Sequence, residues 1–119
     1  MFFALGALFG ALGVGLGAFG AHALRASLSP EDLATFEIGV RYQMYHALAL
    51  IAVAWATTQW EATTVTVAGW AFVVGIVVFS GSLYVLVLSG QRWLGAITPI
   101  GGLAFIVGWA LLAWSAWRG

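Results

Sequence analysis

The chain has 119 residues, of which 63% are hydrophobic and 7% charged, with a formal net charge of zero. A soluble domain carries about 25% charged residues, so a fully water-facing surface is excluded and the chain reads as an integral membrane protein. It contains no lysine and no cysteine, which excludes a basic nucleic-acid footprint as well as disulfides, thiolate catalysis and cysteine-ligated metals.

At about 20 residues per crossing, this length accommodates a single membrane domain, residues 1–119, with four spans at approximately 1–23, 42–60, 65–88 and 98–117. Span 1 carries Gly6, Gly10, Gly13, Gly17 and Gly20 at alternating spacings of four and three. That heptad stripe lets another membrane helix approach almost backbone to backbone. Ala21-His22-Ala23 looks like a signal-peptide cleavage site. However, no Lys or Arg precedes it and the apolar run is long for a signal core, so span 1 is read as retained.

Ser29-Pro30-Glu31-Asp32 is a helix start: a serine N-cap, proline at the first helical position and acids in the first turn. The spacing of Leu33, Phe36, Val40 and Met44 predicts a short amphipathic helical segment at the membrane surface, with Gly39 as a bend into span 2. Glu61 to Thr64 is the second connection. Span 3 holds the small polar triplet Ser80-Gly81-Ser82, and Ser89-Gly90-Gln91-Arg92-Trp93 is turn chemistry with an interfacial Arg-Trp pair. Thr98 is the expected cap and Pro99 the first helical residue of span 4. Gly101, Ala104 and Gly108 form a second small stripe, the expected mate of span 1, while Trp109, Trp114 and Trp117 mark the far end as an aromatic belt. Arg25, Arg41 and Arg92 flank connections 1 and 3, against Arg118 alone on the other side. The positive-inside rule then places both termini outside.

Chemistry-bearing residues are few. Glu37 and Arg41 have the spacing and order of a helix ion pair. Arg41, Gln43, Tyr45 and His46 lie near the start of span 2, and His22 ends span 1 at the same membrane face. Ser80, Ser82 and Thr98 approach that face from spans 3 and 4. These eight residues are the candidate ligand or partner surface, with a polar pocket expected among His22, Arg41, Tyr45, His46 and Ser82. The competing reading is that Arg and Tyr are ordinary interfacial anchors and that the serines bond their own turns or glue helices together. Two histidines on neighbouring helices also raise a haem or metal reading, but the further ligands that a metal site needs are missing. No nucleophile, base and orienting group can be assembled, so no catalytic residue and no cofactor is assigned.

Four motifs carry a family resemblance: Gly17-Ala18-Phe19-Gly20-Ala21-His22-Ala23-Leu24, the run from Gly39 through Tyr42 and His46 to Leu50, Phe79-Ser80-Gly81-Ser82-Leu83-Tyr84, and Ile97-Thr98-Pro99-Ile100-Gly101-Gly102. In that order they resemble the domain-of-unknown-function family numbered 423, bacterial inner-membrane proteins with eukaryotic relatives. The resemblance implies four transmembrane helices and no settled activity, substrate or catalytic residue.

The sequence therefore predicts an all-α fold: a four-transmembrane-helix bundle with a short amphipathic segment before the second span, in the bacterial inner membrane. The expected function is non-enzymatic. The protein would sit in the lipid bilayer as a structural, accessory or interaction subunit, packing against itself as a homo-oligomer or against a larger membrane protein complex. The alternative is a binding or transport module for a small ligand at the polar face, or a haem-binding redox protein using the two histidines.

Overall fold

A computed structural model describes all residues from Met1 to Gly119. Four helical rods follow one another along the chain. The first is α1, Phe2–Phe19, continued by a π-helical turn over Gly20–Leu24; the second is α2, Pro30–Ala56. The third joins α3, Ala62–Gly75, to α4, Gly81–Ser89, through a second π turn at Ile76–Ser80. The fourth is a 3-10 turn at Arg92–Ala96 running into α5, Thr98–Arg118. Three rods, Phe2–Leu24, Ala62–Ser89 and Arg92–Arg118, are long and apolar enough to cross a membrane. The rod of α2 is the more polar one, because Glu31, Asp32, Glu37 and Arg41 all lie in its first half. The bundle is 49 Å along its long axis, close to the ~40–45 Å of a bilayer with its headgroups.

The start of α2 follows from its sequence. Ser29 Oγ accepts the backbone N–H of Asp32 at 3.1 Å, and Pro30 occupies the first turn. The Asp32 carboxylate does not close a reciprocal capping box. It accepts from both terminal guanidinium nitrogens of Arg92 instead, at 3.0 and 3.2 Å. This is the only ion pair, and Glu37 and Arg41 do not pair. An exposed pair of this kind contributes little stability, but it fixes connections 1 and 3 at the same end of the bundle. The helix passes through Gly39 without interruption. The residue is glycine because the Tyr84 ring lies where a side chain would start, 2.8 Å from an added Cβ.

The glycine stripe of α1 faces α2, not the stripe of α5. A Cβ on Gly6 would stand 2.6 Å from the carbonyl oxygen of Ala47, and one on Gly13 would meet Met44 at 2.5 Å. Gly20 seats the ring of Phe36 and Gly17 lies against Val40, whereas Gly10 touches no neighbouring helix. Partner numbers fall from 47 to 36 as α1 advances, so α1 and α2 are antiparallel. Gly101 and Gly108 of α5 take the backbone of Phe79 and the ring of Phe72, from the third rod. Matching stripe spacing suggested an α1–α5 pair, but what fills each stripe is a large residue on the adjacent rod. Short connections put consecutive antiparallel rods side by side, and small residues there admit the neighbour's bulk.

The core runs through Phe2, Leu50, Val53, Val65, Phe72 and Phe105. Outside, Phe3, Leu8, Leu12, Val14, Val77 and Ile106 are more than half exposed or close to it. A surface this apolar on a monomer marks contact with membrane or protein rather than water.

Candidate functional site

Four polar links cross the bundle. Gln43 of α2, 3% exposed, donates Nε2–H to the carbonyl oxygen of Phe9 at 2.8 Å. Its Oε1 accepts the hydroxyl of Tyr84 at 2.7 Å, so one amide joins α1, α2 and α4. Ser80, fully buried in the π turn, donates to the carbonyl oxygen of Gly39 at 2.6 Å. Ser82 shares a hydrogen with Thr98 at 2.6 Å and bonds back to Phe79 O, tying α4 to α5.

His46 forms the fourth link. Its Nδ1 lies 2.7 Å from the carbonyl oxygen of Tyr42, and its Nε2 lies 3.1 Å from the indole nitrogen of Trp109. A carbonyl only accepts and an indole N–H only donates. The hydrogen therefore sits on Nδ1, and Nε2 is the acceptor. The imidazole face stacks on Phe105 with centroids 3.5 Å apart.

The expected single pocket does not form. Gln43 and His46 turn inward, Arg41 and Tyr45 turn outward, and Ser82 pairs with Thr98 elsewhere. His22 is exposed on the π turn after α1 and joins none of these links. Both ring nitrogens of His46 are engaged in hydrogen bonds, and no three His, Cys, Asp or Glu side chains gather in metal-holding geometry. Thr98 is the first residue of α5 and not its cap, because its hydroxyl reaches Leu94 O and Ser82. Trp109 faces His46 instead of marking the far end; Trp114, with the Arg118 guanidinium 5.6 Å above its ring, stands nearer that end.

What the structure does form is a lateral groove of about 700 Å³ between α2 and α5. Tyr42, Tyr45 and His46 form one wall, and Pro99, Gly102 and Trp109 lie on the other. Sequence reasoning missed Trp109 as a polar partner. Its ring read as part of an aromatic belt, and only the facing His46 shows that a donor is needed there.

With this geometry in place, comparison with known proteins decides the family. The model of a family described as a protein of unknown function, DUF423, matches residues 16–102. The chain belongs to the DUF423 family. The matched segment contains Gln43, His46, Ser80, Ser82, Tyr84 and Thr98, so two of the four links lie wholly within it, and the other two reach out of it to Phe9 and Trp109. The UPF0382 membrane protein SH2409 of Staphylococcus haemolyticus is 48% identical over 99% of this chain and 96% of its own length. The UPF0382 membrane protein YwdK of Bacillus subtilis is 47% identical over 98% and 95%. A Staphylococcus aureus relative, SAUSA300_0565, is 51% identical over 94% and 91%. No solved structure matches. These relatives belong to bacteria bounded by a single cytoplasmic membrane, and three apolar rods place this DUF423 chain in the same kind of membrane.

Proposed function

We propose that the protein is a non-catalytic accessory subunit that works by docking its outer helix faces against other membrane helices, in a homo-oligomer or a larger complex. The observation that carries this reading is the engagement of Gln43, His46, Ser80, Ser82 and Thr98 within the bundle. Buried polar groups satisfied this way hold helices together. The apolar exterior, with Gly10 and Gly15 open to any neighbour, is then the working surface. In this reading α2 lies at membrane depth beside α1 from about residue 42 onward, its polar side chains there turned to protein, and both termini lie on the outer side.

The test is extraction from native membranes in mild detergent, followed by native mass spectrometry. A defined complex of fixed stoichiometry, heavier than the 12.5 kDa chain, is expected. A bare monomer that also fails to cross-link to any protein in intact membranes overturns the reading.

A further inference from the structure

Helices α2 and α5 start at the same end of the bundle and run in the same direction. Asp32–Arg92 and Ser82–Thr98 set their levels, with Gly39 joined to Ser80 close by. Between them the groove runs from Pro99 to Trp109, about 15 Å by helix rise. That is half of a hydrocarbon core of about 30 Å, the depth of one leaflet, and too short to seat a crossing helix. The Trp109–His46 hydrogen bond spans the gap and closes the inner end.

Two other furrows on the bundle, of about 410 and 340 Å³, are lined by apolar residues alone. The groove differs from them. Tyr42 and Tyr45 line it, and neither hydroxyl hydrogen-bonds another protein group. Arg41 lies one helical turn before Tyr45 on the same side of α2, exposed and without an ion-pair partner. Glu37, the neighbour best placed to neutralise it, lines a separate cleft with Arg25. Gly102 leaves the groove wall bare, and a Cβ there would meet only the Phe79 ring at an ordinary 3.8 Å.

We propose that this groove binds one anionic phospholipid. Its phosphate rests on the Arg41 guanidinium and the Tyr45 hydroxyl, and one acyl chain lies over Gly102 toward Trp109. An apolar cleft of this size with a few polar groups at its mouth is the usual form of a small-molecule site, and guanidinium is the side chain suited to phosphate.

The experiment uses the full chain, purified and exposed to equal phosphatidylglycerol and phosphatidylcholine, with retained lipid counted by native mass spectrometry. The parent is expected to retain one phosphatidylglycerol in preference to phosphatidylcholine. Arg41→Gln should reduce that preference about tenfold or more, the loss of one charge-assisted contact. Gly102→Leu should fill the groove and lose both lipids while keeping the parent's helical content. Equal retention of both lipids by the parent overturns the proposal, as does unchanged retention by both variants. A dimer that Gly102→Leu abolishes overturns it too, because the occupant is then a second copy. Should Gly102→Leu fail to fold, the exposed Arg41→Gln variant still decides the matter.

Discussion

Trp109 donates its indole N–H to Nε2 of His46 across 3.1 Å, joining α5 to α2 at the inner end of the groove. The bond fixes the imidazole as the neutral tautomer with its hydrogen on Nδ1, held by Tyr42 O. Nitrogen NMR of labelled protein at neutral pH should show one protonated and one bare ring nitrogen on His46. Two protonated nitrogens would contradict the geometry. Trp109→Phe should leave that tautomer in place and lower thermal stability, since a buried acceptor loses its partner at a cost of about 1–3 kcal/mol.

The glycines of span 1 are not equivalent. Gly6 faces the backbone of Ala47, which cannot step aside, whereas Gly13 faces the flexible end of Met44. Gly6→Ala should destabilise by about 1–3 kcal/mol, as overpacking does, and Gly13→Ala by less. Gly10→Ala and Gly15→Ala meet nothing and should stay within about 1 kcal/mol of the parent, gaining helix propensity. Reversible unfolding in detergent measures all four. Equal losses at Gly6 and Gly10 would remove α2 as the partner of α1.

Glu61 caps α3 by accepting the N–H groups of Thr64 and Thr63 at 2.9 and 3.0 Å and the Thr64 hydroxyl at 2.7 Å. These bonds, the Thr64 backbone foremost, push its carboxyl down to about 2 from an ordinary 4.5. A depressed folded value means the cap's contribution is complete above 4.5 and is lost as pH falls toward 2. The difference in melting temperature between parent and Glu61→Gln should therefore shrink across that window. A difference constant from pH 7 to 2 would rule the cap out.

Orientation rests on Arg25, Arg41 and Arg92 against Arg118. A C-terminal reporter active only in the cytoplasm should be silent, and one active only after export should work. The reverse pattern would invert the bundle.

Much of this fold is written in local chemistry. Ser29 and Pro30 announce α2, and Gly90, at φ 76° with its N–H on Leu86 O, ends α4 in a conformation glycine adopts freely. Which stripe meets which helix is not written there. The stripes of α1 and α5 share a spacing, but their partners are Ala47, Met44, Phe72 and Phe79, ordinary apolar residues with no distinguishing pattern. The site was legible as a list and not as an arrangement. Arg41, Gln43, Tyr45 and His46 are neighbours in sequence, and successive residues on a helix point around its full circumference. Two face inward and two outward for that reason, and the groove that results needs Gly102 and Trp109 from a rod more than 50 residues away.

The central claim is that the polar side chains act as struts between helices, and the Gln43–Tyr84 pair tests it most directly. A double-mutant cycle of Gln43→Leu and Tyr84→Phe, read by reversible unfolding, should give a favourable coupling of about 0.6–2 kcal/mol, the range for hydrogen bonds between membrane helices. A coupling of zero, with each single variant as stable as the parent, would contradict it, because the two groups would then contribute nothing to holding α2 against α4.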